Sequence, residues 1–197
     1  MTKILFMGLG TMGYPMAGHL KKSGYEVTVY NRTESRAKKW AKEFFGNYTN
    51  EPANEASFFD IVFACVGNDD DLKEVTSGEK GILKKMRNGA IFVDHTTASA
   101  SVERELFNIS KRLKVKYLDA PVSGGEKGAQ EGKLTIMCGG EKTAFKEVEE
   151  VMASYSQTCT LMGKIGSGQL TKMANQICIA GILQGLSEAI NFSQRAG

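Results

Sequence analysis

Short apolar runs of strand length alternate with longer, charge-faced segments of helical period from the first residues to about residue 160. That alternation predicts a parallel α/β sheet, because parallel strands need crossover helices between them. Strands are expected at residues 3–7, 26–30, 61–66, 90–94, 115–119, 134–138 and 158–162, most of them β-branched or aromatic and bounded by Gly, Asn or Asp. Helices fill the gaps. Residues 33–45 begin with a hydroxyl at the N-cap position, Thr33, and residues 99–113 place Val102, Leu106, Ile109 and Leu113 on one stripe. From Gln169 to Arg195 the pattern changes to one long helix with no proline and no strand-like break. Its apolar residues occupy more than one face, which predicts burial on two sides, by the α/β layers and by something else.

Composition narrows the class. With 42% hydrophobic and 24% charged residues in a chain of 197, the sequence lies within the range of ordinary globular domains. A chain of this length buries roughly 70% of its unfolded surface without disulfide or metal staples. The formal charge of +3 comes from 25 basic and 22 acidic residues with no block of like charges. No nucleic-acid partner is expected. The four cysteines include no C-x-x-C and only two histidines accompany them, so no metal site is expected either. Isolated cysteines in apolar runs read as reduced core residues, which suits the cytoplasm. No apolar run is long enough to span a membrane, and Gly8 and Gly10 interrupt the N-terminal one.

Four segments carry candidate chemistry. Gly8-Leu9-Gly10-Thr11-Met12-Gly13 follows the first strand and opens a helix. Glycines there let the backbone approach a pyrophosphate, whose charge meets the N–H groups at the helix N-terminus. The second strand ends in Asn31-Arg32-Thr33, where an NAD site usually carries an acid for the ribose 2′-hydroxyl. Arg32 can instead pair with a 2′-phosphate while Asn31 and Thr33 donate to it, so NADP is the expected cofactor, with NAD the alternative. Asp119-Ala120-Pro121-Val122-Ser123-Gly124-Gly125 follows a strand at the carboxyl edge of the sheet. The Ser123 hydroxyl and the backbone of Gly124 and Gly125 suit a substrate carboxylate. Gly166-Ser167-Gly168 leads into the long helix, where Lys172 shares a face with Asn175 or Gln176.

Together, and in this order, these motifs resemble those of the β-hydroxyacid dehydrogenase family, which includes 3-hydroxyisobutyrate dehydrogenase, tartronate semialdehyde reductase and 6-phosphogluconate dehydrogenase. The resemblance covers the whole chain. It implies a Rossmann-type, doubly wound, mostly parallel sheet as an NADP-binding domain over residues 1–163, followed by a long interdomain helix over 164–197. It further implies that Lys172 is the general acid/base, that Ser123, Gly124 and Asn175 bind substrate, that Thr96 lies near the nicotinamide, and that Cys65, Val66 and Gly67 pass along the cofactor. The expected reaction is hydride transfer between the nicotinamide and a small hydroxy acid or semialdehyde. Many members carry Asn four residues after the lysine; here Asn175 stands at three and Gln176 at four, as in the tartronate semialdehyde reductase branch. The family continues past this helix into an all-helical domain of about a hundred residues, absent here, so this reading expects a truncated chain that associates at least as a homodimer. Two rivals stand beside it: a non-catalytic dinucleotide-binding module or inactive fragment, and an imine reductase. Imine reductases generally place another residue where this chain has Lys172.

Overall fold

The computed structural model describes Met1–Gly197. The first half alternates β1 (Lys3–Met7), α1 (Gly13–Lys22), β2 (Glu26–Tyr30), α2 (Glu34–Phe44), β3 (Asn47–Tyr48), α3 (Pro52–Glu55), β4 (Ile61–Ala64) and α4 (Asp69–Thr76). The second continues with β5 (Ile91–Asp94), α5 (Ala100–Arg112), β6 (Lys116–Asp119), β7 (Val122–Ser123), α6 (Gly125–Glu131), β8 (Leu134–Gly140), α7 (Lys142–Met152), β9 (Ser156–Gly163) and α8 (Ser167–Ala196). The sheet order is β3-β2-β1-β4-β5-β6-β8-β7, with β9 also paired to β8. The strands from β3 to β6 run parallel, β8 is antiparallel to β6 and β7, and β9 is parallel to β8. This is the doubly wound, mostly parallel arrangement expected from the chain's alternation.

The central strands read as continuous apolar runs because both faces of the sheet are covered. Ile61 and Phe63 of β4 face a core shared with Leu20, Trp40 and Val148, whereas Val62 and Ala64 face one shared with Leu72, Leu83 and Leu106. Phe63 stacks on Phe6 at 5.9 Å between ring centroids and on His95 at 5.4 Å. On α5 the predicted stripe holds for Val102 and Leu106, which are buried, while Ile109 and Leu113 are half-buried. The expected strand at 61–66 ends at Ala64, ahead of a bend at Gly67 and Asn68, and β8 and β9 each extend beyond their expected ends.

Two expectations are corrected. The α/β layers cover only the beginning of α8, where Gly168, Gln169 and Lys172 are buried; every residue from Gln176 onward is exposed. A helix of 30 residues extends about 45 Å and runs off the sheet. The cysteines are not all core residues, since Cys178 lies exposed on α8. Nor are they all isolated in space, because Cys138 and Cys159 face each other with Sγ atoms 3.7 Å apart. No helix is long and apolar enough to cross a membrane.

Removing the Phe63 ring leaves a void between the Phe6 and His95 rings in a fully buried layer. Phe63→Ala is expected to cost about 3–5 kcal/mol of unfolding free energy in urea. A loss under about 1 kcal/mol would show that the sheet is not packed around this ring.

Candidate active site

The sheet reverses its winding between β1 and β4, and a cleft of about 330 Å³ opens at their carboxyl ends. Its walls bring together Gly8, Gly10, Asn31, Arg32, Thr33, Cys65, Val66 and Gly67 from three separate stretches of sequence. At Gly8, φ is +93° and a Cβ would lie 2.2 Å from the Cys65 carbonyl oxygen, so only glycine lets these two loops touch. At Gly10 a Cβ would meet no protein atom within 4 Å and would instead occupy the mouth of the cleft. Beyond it Met12 precedes α1, which carries no side-chain cap and no acid in its first turn. A backbone cradle beneath an uncapped helix N-terminus fits a dinucleotide pyrophosphate. Leu9 is buried behind the loop, Gly13 begins α1, and Thr11 lines a separate depression on the outer side.

The Asn31-Arg32-Thr33 stretch is placed as expected, but its side chains are not equivalent. Asn31 accepts from the Leu9 N–H at 2.9 Å and donates to the Thr33 carbonyl at 3.0 Å. The carbonyl end of its amide thus ties β2 to the glycine loop, while the NH2 end makes one bond within its own turn and keeps a second N–H. The Thr33 hydroxyl makes no cap bond to α2, and the Arg32 side chain is 80% exposed, 3.3 Å from Asp71. Tyr30, Asp71, Glu74 and Val75 complete the lining. Tyr30 ends β2 beside Asn31, whereas Asp71, Glu74 and Val75 lie on α4, and sequence spacing missed those three because nothing in α4 marks it as the opposite wall.

A chain of hydrogen bonds leads from this cleft to α8. The Val66 N–H donates to Thr96 Oγ1 at 3.1 Å, and Gln169 Nε2 donates to the Thr96 carbonyl at 2.7 Å. Thr96 is buried, bridging loop and helix rather than lining the cleft. Asp119 accepts from the N–H of Gly166 at 2.7 Å and of Gln169 at 2.9 Å, serving as the cap that α8 lacks in its own sequence. The approach is tight enough that a Cβ at Gly168 would lie 2.3 Å from the Met137 carbonyl oxygen.

One turn further along α8, Lys172 is only 8% exposed and has no carboxylate within 4 Å. Burial without a counter-ion pushes its ammonium below the usual lysine range. Asn175 Nδ2 stands 3.5 Å from Ser123 Oγ, at the far limit of a hydrogen bond, whereas Gln176 is exposed. Of the two candidate amides, the structure therefore turns Asn175 toward the serine. Gly124 and Gly125 follow Ser123 with φ of 125° and 63°, leading into α6. His95, beside Thr96, is a structural group: burial pushes its pKa down to about 4, Nδ1–H donates to the Ala120 carbonyl, and Nε2 accepts from Tyr155.

Residues 3–163 match the family described as the NAD binding domain of 6-phosphogluconate dehydrogenase. The chain belongs to that family. It is 53% identical over 197 residues to an uncharacterized oxidoreductase of Shewanella frigidimarina, covering all of this chain and 68% of the relative. It is 35% identical over 196 residues to the mitochondrial 3-hydroxyisobutyrate dehydrogenase of Rattus norvegicus, covering 58% of that protein. The structure of 3-hydroxyisobutyrate dehydrogenase from Mycobacterium tuberculosis with L-serine superposes with a TM-score of 0.94 at 26% identity, covering all of this chain and 66% of the other. An imine reductase from Myxococcus stipitatus in complex with NADP+ shares the fold, with a TM-score of 0.85 at 19% identity over 95% of this chain and 64% of its own. The chain thus spans about two thirds or less of the length of most of these proteins, and the remainder has no counterpart in this sequence.

Behind the anchor of α8, this NAD-binding domain buries three carboxyl groups, Asp94, Glu103 and Asp119. Glu103 accepts from Tyr117 at 2.8 Å and from Gln169 at 2.7 Å. Asp94 Oδ1 accepts from the Thr96 N–H, Oδ2 is buried without a donor, and the carboxyl group lies within hydrogen-bonding reach of Glu103, which can supply one if it carries a proton. Burial raises Asp94 to about 7, and burial followed by the Asp94 charge holds Glu103 well above the usual carboxylate range. The native pair therefore keeps protons that the unfolded chain releases near pH 4. Its contribution to stability is fully present below about pH 4 and is lost as pH rises through about 7. Glu103→Gln, which carries a fixed donor, is expected to flatten the fall in urea stability between pH 5 and pH 8. An unchanged slope would show that no proton is held between the two acids.

Proposed function

We propose that the chain is the cofactor half, with the proton-transferring lysine, of an NADP-dependent oxidoreductase acting on a small hydroxy acid or semialdehyde. Residues 1–163 form the dinucleotide-binding part, and 164–197 carry Lys172 outward from it. The observation that supports the reading best is Lys172 itself, nearly buried and unpaired on a helix whose first turn is bonded to the loops of the cofactor cleft. A structural lysine at this depth would be expected to have a partner.

The cradle of Gly8, Leu9, Gly10, Thr11, Met12 and Gly13 would hold the pyrophosphate, Asn31, Arg32 and Thr33 the adenosine phosphate, and Cys65, Val66 and Gly67 the path toward the nicotinamide, with Thr96 supporting that loop from behind. The nicotinamide, when bound, supplies a hydride to a carbonyl carbon or accepts one from an alcohol carbon. Ser123, the backbone of Gly124 and Gly125, and Asn175 hold the substrate carboxylate and so fix which carbon is presented. In reduction the Lys172 ammonium stabilises the developing alkoxide and gives it a proton. In oxidation neutral Lys172 takes the hydroxyl proton, which its lowered pKa favours. The exposed apolar residues of α8, among them Ile177, Ile182 and Phe192, suit cover by further polypeptide, including a second subunit.

Lys172→Ala is expected to lower NADPH-dependent turnover of glyoxylate or succinic semialdehyde by roughly two orders of magnitude or more. NADPH affinity, followed by cofactor fluorescence, should change less than about twofold. An equal loss of binding and turnover would contradict the role given to the lysine. Binding without turnover in the unsubstituted chain would keep the cofactor assignment and favour a non-catalytic dinucleotide module or an inactive fragment.

A further inference from the structure

The adenosine end of the cleft is a contest between one cation and the carboxylates facing it. Arg32 is the only cationic side chain on the cleft wall, and Asp71 and Glu74 are the only carboxylates. Arg32 Nη1 lies 3.3 Å from Asp71 Oδ1, and no other ion pair involves either residue. The two partners are held very differently. The arginine side chain is 80% exposed and reaches across on a flexible stem, whereas that of Asp71 is 29% exposed. Asp71 lies in the first turn of α4, its N–H bonded to the Asn68 side chain that caps the helix at 3.0 Å. Its other carboxylate oxygen closes over Gly67, where a Cβ would stand 2.4 Å away. The end of β2, where an acid would face the ribose, carries the neutral Asn31, whose carbonyl accepts from the Leu9 N–H of the glycine loop. The negative charge at this end of the site therefore comes from the opposite wall.

We propose that Asp71 is a specificity-determining residue that restrains Arg32 and shifts cofactor selectivity away from the 2′-phosphorylated dinucleotide. The inference rests on the reading of Arg32 as the partner of a 2′-phosphate. A phosphate arriving at the guanidinium must displace the Asp71 carboxylate or share the guanidinium with it, and it meets like-charge repulsion from Asp71 while doing so. A dinucleotide without that phosphate incurs neither cost. Because the pair is exposed to solvent, the restraint is modest and weakens as salt screens it.

The test is a fluorescence titration with NADPH and with NADH of the unsubstituted protein, Asp71→Asn, Arg32→Ala and the double variant. Asparagine keeps the size of the side chain at this exposed edge of α4. Asp71→Asn is expected to tighten NADPH binding about three- to tenfold while NADH binding stays within about twofold, and the gain should shrink as salt is raised. Arg32→Ala is expected to weaken NADPH binding about tenfold or more, and in that background most of the gain from Asp71→Asn should be lost. If Arg32→Ala weakens NADPH binding but Asp71→Asn leaves it unchanged or weaker, the restraint is refuted and the phosphate reading stands. If Arg32→Ala leaves NADPH binding unchanged, the phosphate reading itself fails, and the proposal with it.

Discussion

The candidate site depends on a carboxylate that belongs to one strand and caps the helix of another element. Asp119 at the end of β6 takes the N–H groups of Gly166 and Gln169, and without it the first turn of α8 would begin with unsatisfied donors buried against β8. That bond fixes the direction in which a 30-residue helix leaves the sheet and brings Asn175, one turn beyond Lys172, to the side of Ser123. Gln169 carries the same constraint to the cofactor loops through Thr96 and Val66. A shift of α8 would thus be felt at both the lysine and the cleft.

Charge is distributed along this frame in two contrasting ways. Behind α8 three acids are buried together, and the proton between Asp94 and Glu103 lets them coexist. In front of it Lys172 is desolvated with no carboxylate near, which favours the neutral amine. The acids are thus pushed toward their protonated forms and the lysine toward its deprotonated form, so less net charge is buried than the residue types suggest. The exposed pair at Arg32 and Asp71 is the opposite case, weakly held and open to exchange with an incoming anion.

Much of this was legible in the chain. The β1 and β2 ends, the glycine loop and the placement of Lys172 follow from period, spacing and turn residues, because these are local properties. The cleft's far wall did not follow, since Asp71 and Glu74 sit on a short helix whose acidic first turn reads as ordinary dipole compensation. Glu103 left a faint mark, a charge three positions before the buried Leu106 on α5, but its partners Asp94, Tyr117 and Gln169 lie on other elements. At Asn31 residue type alone could not show that the amide carbonyl also ties β2 to the glycine loop. The length of α8 was plain from its pattern, whereas its lack of cover beyond Gln176 depends on where the sheet ends.

The proposed proton transfer rests on Lys172 being an unpaired, desolvated amine. It is tested most directly by following the lysine Cε resonances of the protein through a pH titration, with Lys172→Ala to assign the signal. One lysine is expected to titrate clearly below the usual value of about 10.4 and to disappear in the variant. A Lys172 resonance that titrates together with those of the surface lysines would contradict it.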